Sequence, residues 1–249
     1  MTQPLDIILP DISMPPEVDR DQVLSRLHRV LDPELDESIL SLGFVESVDS
    51  DDEGNLTVAL RLPTYWCAAN FSYLMASDVR NELMGLEGVR SVTVKLGEHF
   101  AAGEVENGAG GGKSFGEAFP SGGPDTLAET RRIFLAKGYF SRQERLLRAL
   151  RDVGLSFEEI AALRVGEAPS VIDEQVVSRY LERRRELGID CSDSTPLIVD
   201  LHGTAVAANE LEAYYVRART TRLAMEASGS LCSAMLQSRN ENWAASQDP

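Results

Sequence analysis

The chain has 249 residues, 43% of them hydrophobic and 26% charged, with a formal net charge of −16. That composition belongs to a folded protein of one or two domains and excludes a disordered or fibrous chain. The acid excess also excludes a phosphate-backbone binder, which needs concentrated Lys and Arg, so no nucleic-acid partner is expected.

The charge is uneven, with 8 basic and 21 acidic residues in 1–123 against 16 and 19 in 124–249, which suggests two units with different surfaces. The uncharged run Leu62–Ser77 is too short to span a bilayer. No basic stretch leads into an apolar core at the N-terminus, so neither a secretory signal nor a membrane partner is expected, and a cytoplasmic location is. Three separated cysteines, Cys67, Cys191 and Cys232, form no disulfide framework and no zinc-type cluster.

Residues 1–16 hold four prolines and read as an irregular arm. From Glu17 to Leu31, the residues Val23, Leu24, Leu27, Val30 and Leu31 share one helical stripe. Asp32-Pro33 stops it, because the residue before proline is pushed out of the helical region. Phe44–Val48 and Leu56–Leu62 read as a β-hairpin around an acidic turn ending in Gly54-Asn55. A turn containing Pro63 to Cys67 follows, then a helical period through Leu86 and a third strand carrying Val89, Val92, Val94 and Leu96. The expected fold class is α+β: a small α-β-β-α-β sandwich over residues 17–100.

Eight of the 19 glycines lie between Gly103 and Gly123, so residues 101–124 read as a glycine-rich linker. Residues 125–249 read as a mainly helical domain. Ser141…Glu144 and Ser156…Glu159 are expected capping boxes, the second opening the short helix of a helical hairpin. Helices are expected over Asp173–Leu187 and from Ala205 to Leu236, with an interruption at Gly229, and Pro196–Leu201 reads as a short strand. The last ten residues read as loose.

The candidate centre is the turn Pro63-Thr64-Tyr65-Trp66-Cys67. A cysteine just ahead of a helix faces unpaired N–H groups and the positive dipole end, which favour a thiolate, a soft ligand suited to iron–sulfur clusters. One cysteine cannot hold a cluster alone, so a second subunit, a partner or oxygen ligands would complete it; a small buried hydrophobe is the plainer alternative. Thr64 and Tyr65 are expected to shape the turn, and Trp66 to be core packing in preference to an exposed partner contact.

Asn107–Ser114, NGAGGGKS, approaches a phosphate-binding loop but lacks the strand before it and the helix after it, so no ATP is expected. Asp200 and His202 could share a strand face as a metal pair, although a structural role is more common for two such residues. No hydrolytic triad or carboxylate pair stands out, and the chain is not expected to be an enzyme.

Asp32-Pro33-Glu34, Ser38-Ile39 and Leu42-Gly43-Phe44-Val45, with the PTYWC turn, resemble the signatures of the MIP18 / DUF59 family of iron–sulfur cluster assembly factors. The turn is similar to that of the PaaD-like branch, with one residue fewer and Ala68 in place of a proline. The likeness covers residues 17–98 and omits the C-terminal zinc-type cysteines of PaaD-like proteins. It implies a carrier or adaptor that matures a client metalloenzyme with the iron–sulfur assembly machinery, binding iron or a cluster transiently. Cys67, Asp32 and Glu34 are the metal residues it implies, and a homo-oligomer could share a cluster between two Cys67 thiols. A metal-free adaptor or chaperone for a multicomponent oxygenase is the alternative.

Overall fold

The computed structural model describes residues 10–13, 18–120 and 126–247. The chain divides into two compact units, Met1–Arg131 with Gly229–Pro249, and Arg132–Ser228. This partition differs from a simple division at the glycine-rich stretch, because the C-terminal segment belongs to the N-terminal unit.

The first unit begins with β1 (Asp11–Ser13) and α1 (Arg20–Arg29). Asp19 caps α1 by accepting from the N–H groups of Asp21 and Gln22, and Val23 and Leu27 are buried. A small hairpin of β2 (Leu31–Asp32) and β3 (Glu37–Ser38) follows, then β4 (Val45–Ser50) and β5 (Asn55–Arg61). Next come α2 (Ala69–Leu83), β6 (Ser91–Gly97), α3 (Ala102–Gly108) and α4 (Phe115–Ala118).

The main sheet runs β1-β4-β5-β6, with β4 and β5 antiparallel and both outer pairs parallel. Leu56, Val58 and Leu60 alternate inward and stand in register with Val92, Val94 and Leu96, all buried. Their face packs with Val79, Leu83, Val23 and Leu27 in one hydrophobic core. Gly54 closes the hairpin at φ +81°, where a Cβ would lie 2.1 Å from the Gly88 carbonyl oxygen. Only glycine fits there.

Two expectations change here. Residues 10–13, read as part of an irregular arm, include a strand; residues 1–9 and 14–16 lie outside the described residues. The glycine-rich stretch carries two helices over its described part instead of a free linker. Glu106 of α3 accepts from the Leu96 N–H at 2.9 Å, and Tyr73 packs edge-on to Phe115 with ring centroids 5.3 Å apart. A Cβ at Gly108 would lie 2.8 Å from the Tyr73 ring, so this glycine serves close packing. NGAGGGKS therefore begins inside α3 and not after a strand, while, against the expectation of no helix behind it, the short α4 follows with Ser114 as its cap; Tyr73 donates its hydroxyl hydrogen to the Lys113 carbonyl.

The second unit holds most of α5 (Thr126–Asp152), α6 (Phe157–Ala162), α7 (Glu174–Glu186) and the first half of α8 (Ala208–Gln247). Ser156 and Glu159 form the expected capping box. Ser141 and Glu144 do not: α5 is continuous and both are buried inside it. Gly229 does not interrupt α8, and the helix runs through Gln247 where a loose end was expected.

Pro196–Leu201 is not a strand: it bends at Leu197 and Ile198, turns at Leu201 and makes only isolated bridges, Arg164 with Pro196 and Val199 with Ala205. Side chains satisfy its carbonyls instead. Val199 accepts from Tyr139 at 2.7 Å and Gln143 at 2.8 Å, and Leu197 from Tyr180 at 2.9 Å and Arg184 at 3.0 Å. Asp200 caps the next turn by accepting from the His202 and Thr204 N–H groups, so its carboxylate is a turn residue. Among the described residues, no helix is long and apolar enough to cross a membrane.

Candidate functional site

Asp32 builds the first side of the site. Its Oδ1 accepts from the backbone N–H groups of Glu34 at 2.9 Å and Leu35 at 2.8 Å, the self-bonding that aspartate makes in tight turns. Burial pushes its carboxyl up to about 6, against the lowering effect of the Leu35 and Glu34 N–H groups and with a further raise from the Glu34 and Glu37 charges. Asp32 is thus the buried organiser of this loop and Glu34 its half-exposed neighbour.

The second side is the turn between β5 and α2. The Cys67 N–H donates to the Thr64 carbonyl, and the Thr64 hydroxyl lies 3.4 Å from Cys67 Sγ. Thr64 therefore shapes the turn and touches the thiol. Cys67 is free and half-buried, two residues ahead of Ala69 at the start of α2, whose N-terminus has no side-chain cap.

Trp66 departs from the core role preferred for it: 75% of it is exposed. It stacks on Phe100 with centroids 5.8 Å apart and meets Tyr65 edge-on at 4.7 Å. Tyr65 and Phe100 are also exposed, and the Phe100 N–H donates to the Tyr65 carbonyl at 3.2 Å. The three rings make an exposed aromatic ridge beside Cys67, held together from two separate chain segments.

His99 is the positioning residue that sequence reasoning passed over. Its Nδ1 accepts from the Ala101 N–H at 3.2 Å, so Nε2 carries the proton and donates to the Cys67 carbonyl at 2.7 Å. Ser72 Oγ, itself bonded to the Ala68 carbonyl, lies 3.3 Å from the same nitrogen. Burial lowers the His99 pKa, the Cys67 hydrogen bond opposes this, and the Arg239 charge lowers it further. A histidine two residues past a strand and next to an aromatic was the available signal; its partner was invisible because it is a backbone atom.

The far end of α8 supplies a third side. Arg239 donates to the Leu62 carbonyl at 2.6 Å and pairs with Glu98 at 2.8 Å. Cys232 on the same helix is half-buried against the first unit's core, as Cys67 is. Burial raises the Cys232 thiol pKa, and the charges of Asp32, Cys67 and Glu34 raise it further. Asp32, Glu34, Cys67 and Cys232 all belong to the first unit. No three His, Cys, Asp or Glu side chains among the described residues already stand together as a ligand set for one metal ion.

Residues 20–96 match the family described as iron–sulfur cluster assembly protein. An uncharacterized protein of Methanocaldococcus jannaschii is 33% identical over 82 residues, which are 33% of this chain and 84% of that protein. No solved structure matches the chain. The matched segment contains the Asp32 loop, the PTYWC turn and strands β4 and β5 with nearly all of β6, and through it this chain belongs to the iron–sulfur cluster assembly protein family.

Proposed function

We propose that the protein is a non-enzymatic maturation factor that accepts iron or an iron–sulfur cluster at Cys67 and passes it to a client metalloenzyme in the cytoplasm. The observation that carries this reading is the half-buried free thiol of Cys67, in contact with the Thr64 hydroxyl and bordered by an exposed aromatic ridge, inside an iron–sulfur assembly domain. A thiolate binds iron well, and incomplete ligation suits cargo that must leave again. Asp32 and Glu34 would contribute oxygen ligands, and the ridge would seat the client or the assembly machinery. The PTYWC sequence supports placement near the PaaD-like branch, which makes a multicomponent oxygenase a fitting client. ATP has no part in this reading.

Anaerobic reconstitution with iron and sulfide tests it: visible absorbance should develop in the wild-type chain and be lost in Cys67→Ala. A colourless, metal-free wild-type product would overturn the carrier reading. The exposed Trp66–Phe100 stack favours a second reading, a metal-free adaptor for the same client. Under it, Cys67→Ala should co-purify with the client as well as the wild type does.

A further inference from the structure

Tyr65, Trp66 and Phe100 come from two segments, the turn after β5 and the residues after β6, joined where the Phe100 N–H donates to the Tyr65 carbonyl. One face of the Trp66 ring stacks on Phe100, and Tyr65 meets it edge-on. With 75% of the residue exposed, the other face of the indole is left to solvent.

The charge carried by these segments has one sign. From Leu62 to Val79 and from Leu96 to Gly112 the chain holds no Lys or Arg, but it holds Asp78, Glu98, Glu104 and Glu106. The histidine there, His99, is buried and has both ring nitrogens bonded inside the fold. Two arginines that reach the borders are engaged, Arg61 with Glu46, and Arg239 with Glu98 and the Leu62 carbonyl.

Rings of the second unit have cations of their own. Lys137 Nζ lies 4.7 Å from the Phe134 centroid, and the Arg151 guanidinium carbon 4.8 Å from that of Phe157. Among the described residues, no cation lies over Tyr65, Trp66 or Phe100. An indole face is the best aromatic surface for a cation, because its π electrons carry the negative end of the ring quadrupole. An unclaimed indole face on acid-rich segments is therefore complementary to positive charge.

We propose that the Trp66–Phe100 ridge docks an arginine-bearing segment of the client protein, with a guanidinium laid over the open face of Trp66. This rests on the reading of the ridge as the client's seat and gives that seat its chemistry. Arginine fits better than lysine, because its planar and weakly hydrated guanidinium stacks on a ring where an ammonium stays hydrated. The acid excess of the first 123 residues, 21 acidic against 8 basic, steers such a segment in before the ring contact forms.

The test titrates the full-length chain into fluorescently labelled glycine–serine peptides of equal length that carry spaced arginines, lysines or leucines, read by anisotropy. The wild type should bind the arginine peptide best, the lysine peptide less tightly and the leucine peptide least. Trp66→Leu keeps an apolar side chain but removes the π face, and should weaken the arginine peptide about tenfold. Phe100→Ala, which removes the ring behind the indole, should weaken it in the same direction. Trp66→Phe restores a π face at the same place and should keep most of the affinity, a recovery that a merely misshapen turn would not give.

Arginine-peptide binding that survives both Trp66→Leu and Phe100→Ala would put the contact elsewhere on the acidic surface and overturn the proposal. Equal affinity for the arginine and lysine peptides, equal loss in Trp66→Leu and Trp66→Phe, or no binding by the wild type would overturn it too. A preference for the leucine peptide would overturn the cationic chemistry and leave the ridge standing as an apolar seat. Client recovery by Trp66→Ala, a separate measurement, decides the seat itself, so the two readings fail by different results.

Discussion

His99 Nε2 donates to the Cys67 backbone carbonyl at 2.7 Å, so the second residue past β6 holds the backbone of the thiol-bearing residue. The bond needs a neutral imidazole protonated on Nε2, because Nδ1 is committed to the Ala101 N–H. Replacing His99 by Ala leaves a buried donor and an acceptor without these partners, at a cost of about 1–3 kcal/mol. The expected result is a lower melting temperature together with faster alkylation of Cys67 as its turn loosens. The pH dependence follows from the sign of the shift. The folded pKa lies below the ordinary 6.5, so this stability is present above pH 6.5 and is lost as pH falls through the lower folded value. His99→Ala should flatten that acid limb of a melting-temperature profile; an unchanged limb would assign it to other groups.

Asp32 runs the opposite way. Its carboxyl titrates at about 6 in the fold against an ordinary 3.8, because burial outweighs the two N–H groups that bond it. Between those values the folded chain takes up a proton that the unfolded chain does not, so this group stabilises more as pH falls and loses that contribution as pH rises through 6. Asparagine can accept the same two N–H bonds without a charge. Asp32→Asn should therefore melt higher than wild type at pH 8, by an amount on the order of 1–3 kcal/mol, with the gap closing by about pH 4. A variant less stable than wild type at pH 8 would mean that the charge itself is favourable there.

Much of this unit could be read from residue order. The period-two burial of Leu56, Val58 and Leu60, the acidic turn ending at Gly54-Asn55, and the Ser156 cap are local signals, and each element stands where its pattern put it. What escaped was non-local. Asp11–Ser13 is a strand only because β4 lies beside it, and three residues carry no period. Pro196–Leu201 has the apolar, β-branched content of a strand, yet its carbonyls are taken by Tyr139, Tyr180, Gln143 and Arg184 from helices far along the chain. Trp66 is apolar by composition and exposed in fact. Cys232 had no signal at all, since a single cysteine on a long helix looks like any small packing residue until the opposite wall is known.

Trp66 yields a prediction that separates docking from folding. With 75% of its surface exposed, it contributes little to the core. Trp66→Ala should leave stability within about 0.5 kcal/mol of wild type, the usual range for surface changes. An aromatic anchor at an interface typically costs 2 kcal/mol or more when truncated, roughly a 30-fold loss of affinity. Co-purification of the client with a tagged full-length chain should thus fall sharply in Trp66→Ala and in Phe100→Ala, which removes the ring beneath it. Full client recovery by both variants would remove the ridge as the docking surface.

In the second unit, Glu144 is fully buried within α5, and its compensating partner is Arg222 of α8, with Nε 2.5 Å from Oε2. Arg222 also reaches Glu226 one turn on, which fixes the direction of its guanidinium. A buried pair of this kind need not add net stability, because the attraction offsets the loss of hydration of both charges. Breaking it from one side is different. Arg222→Met would leave Glu144 charged without its partner and should cost about 3–5 kcal/mol, seen as a lower denaturant midpoint. Removing both charges with Glu144→Leu and Arg222→Met should recover most of that loss, because neither apolar side chain requires a counter-charge. The double-mutant cycle should therefore show a large coupling energy. A double variant no more stable than Arg222→Met would show that shape, not charge balance, sets the requirement at this position.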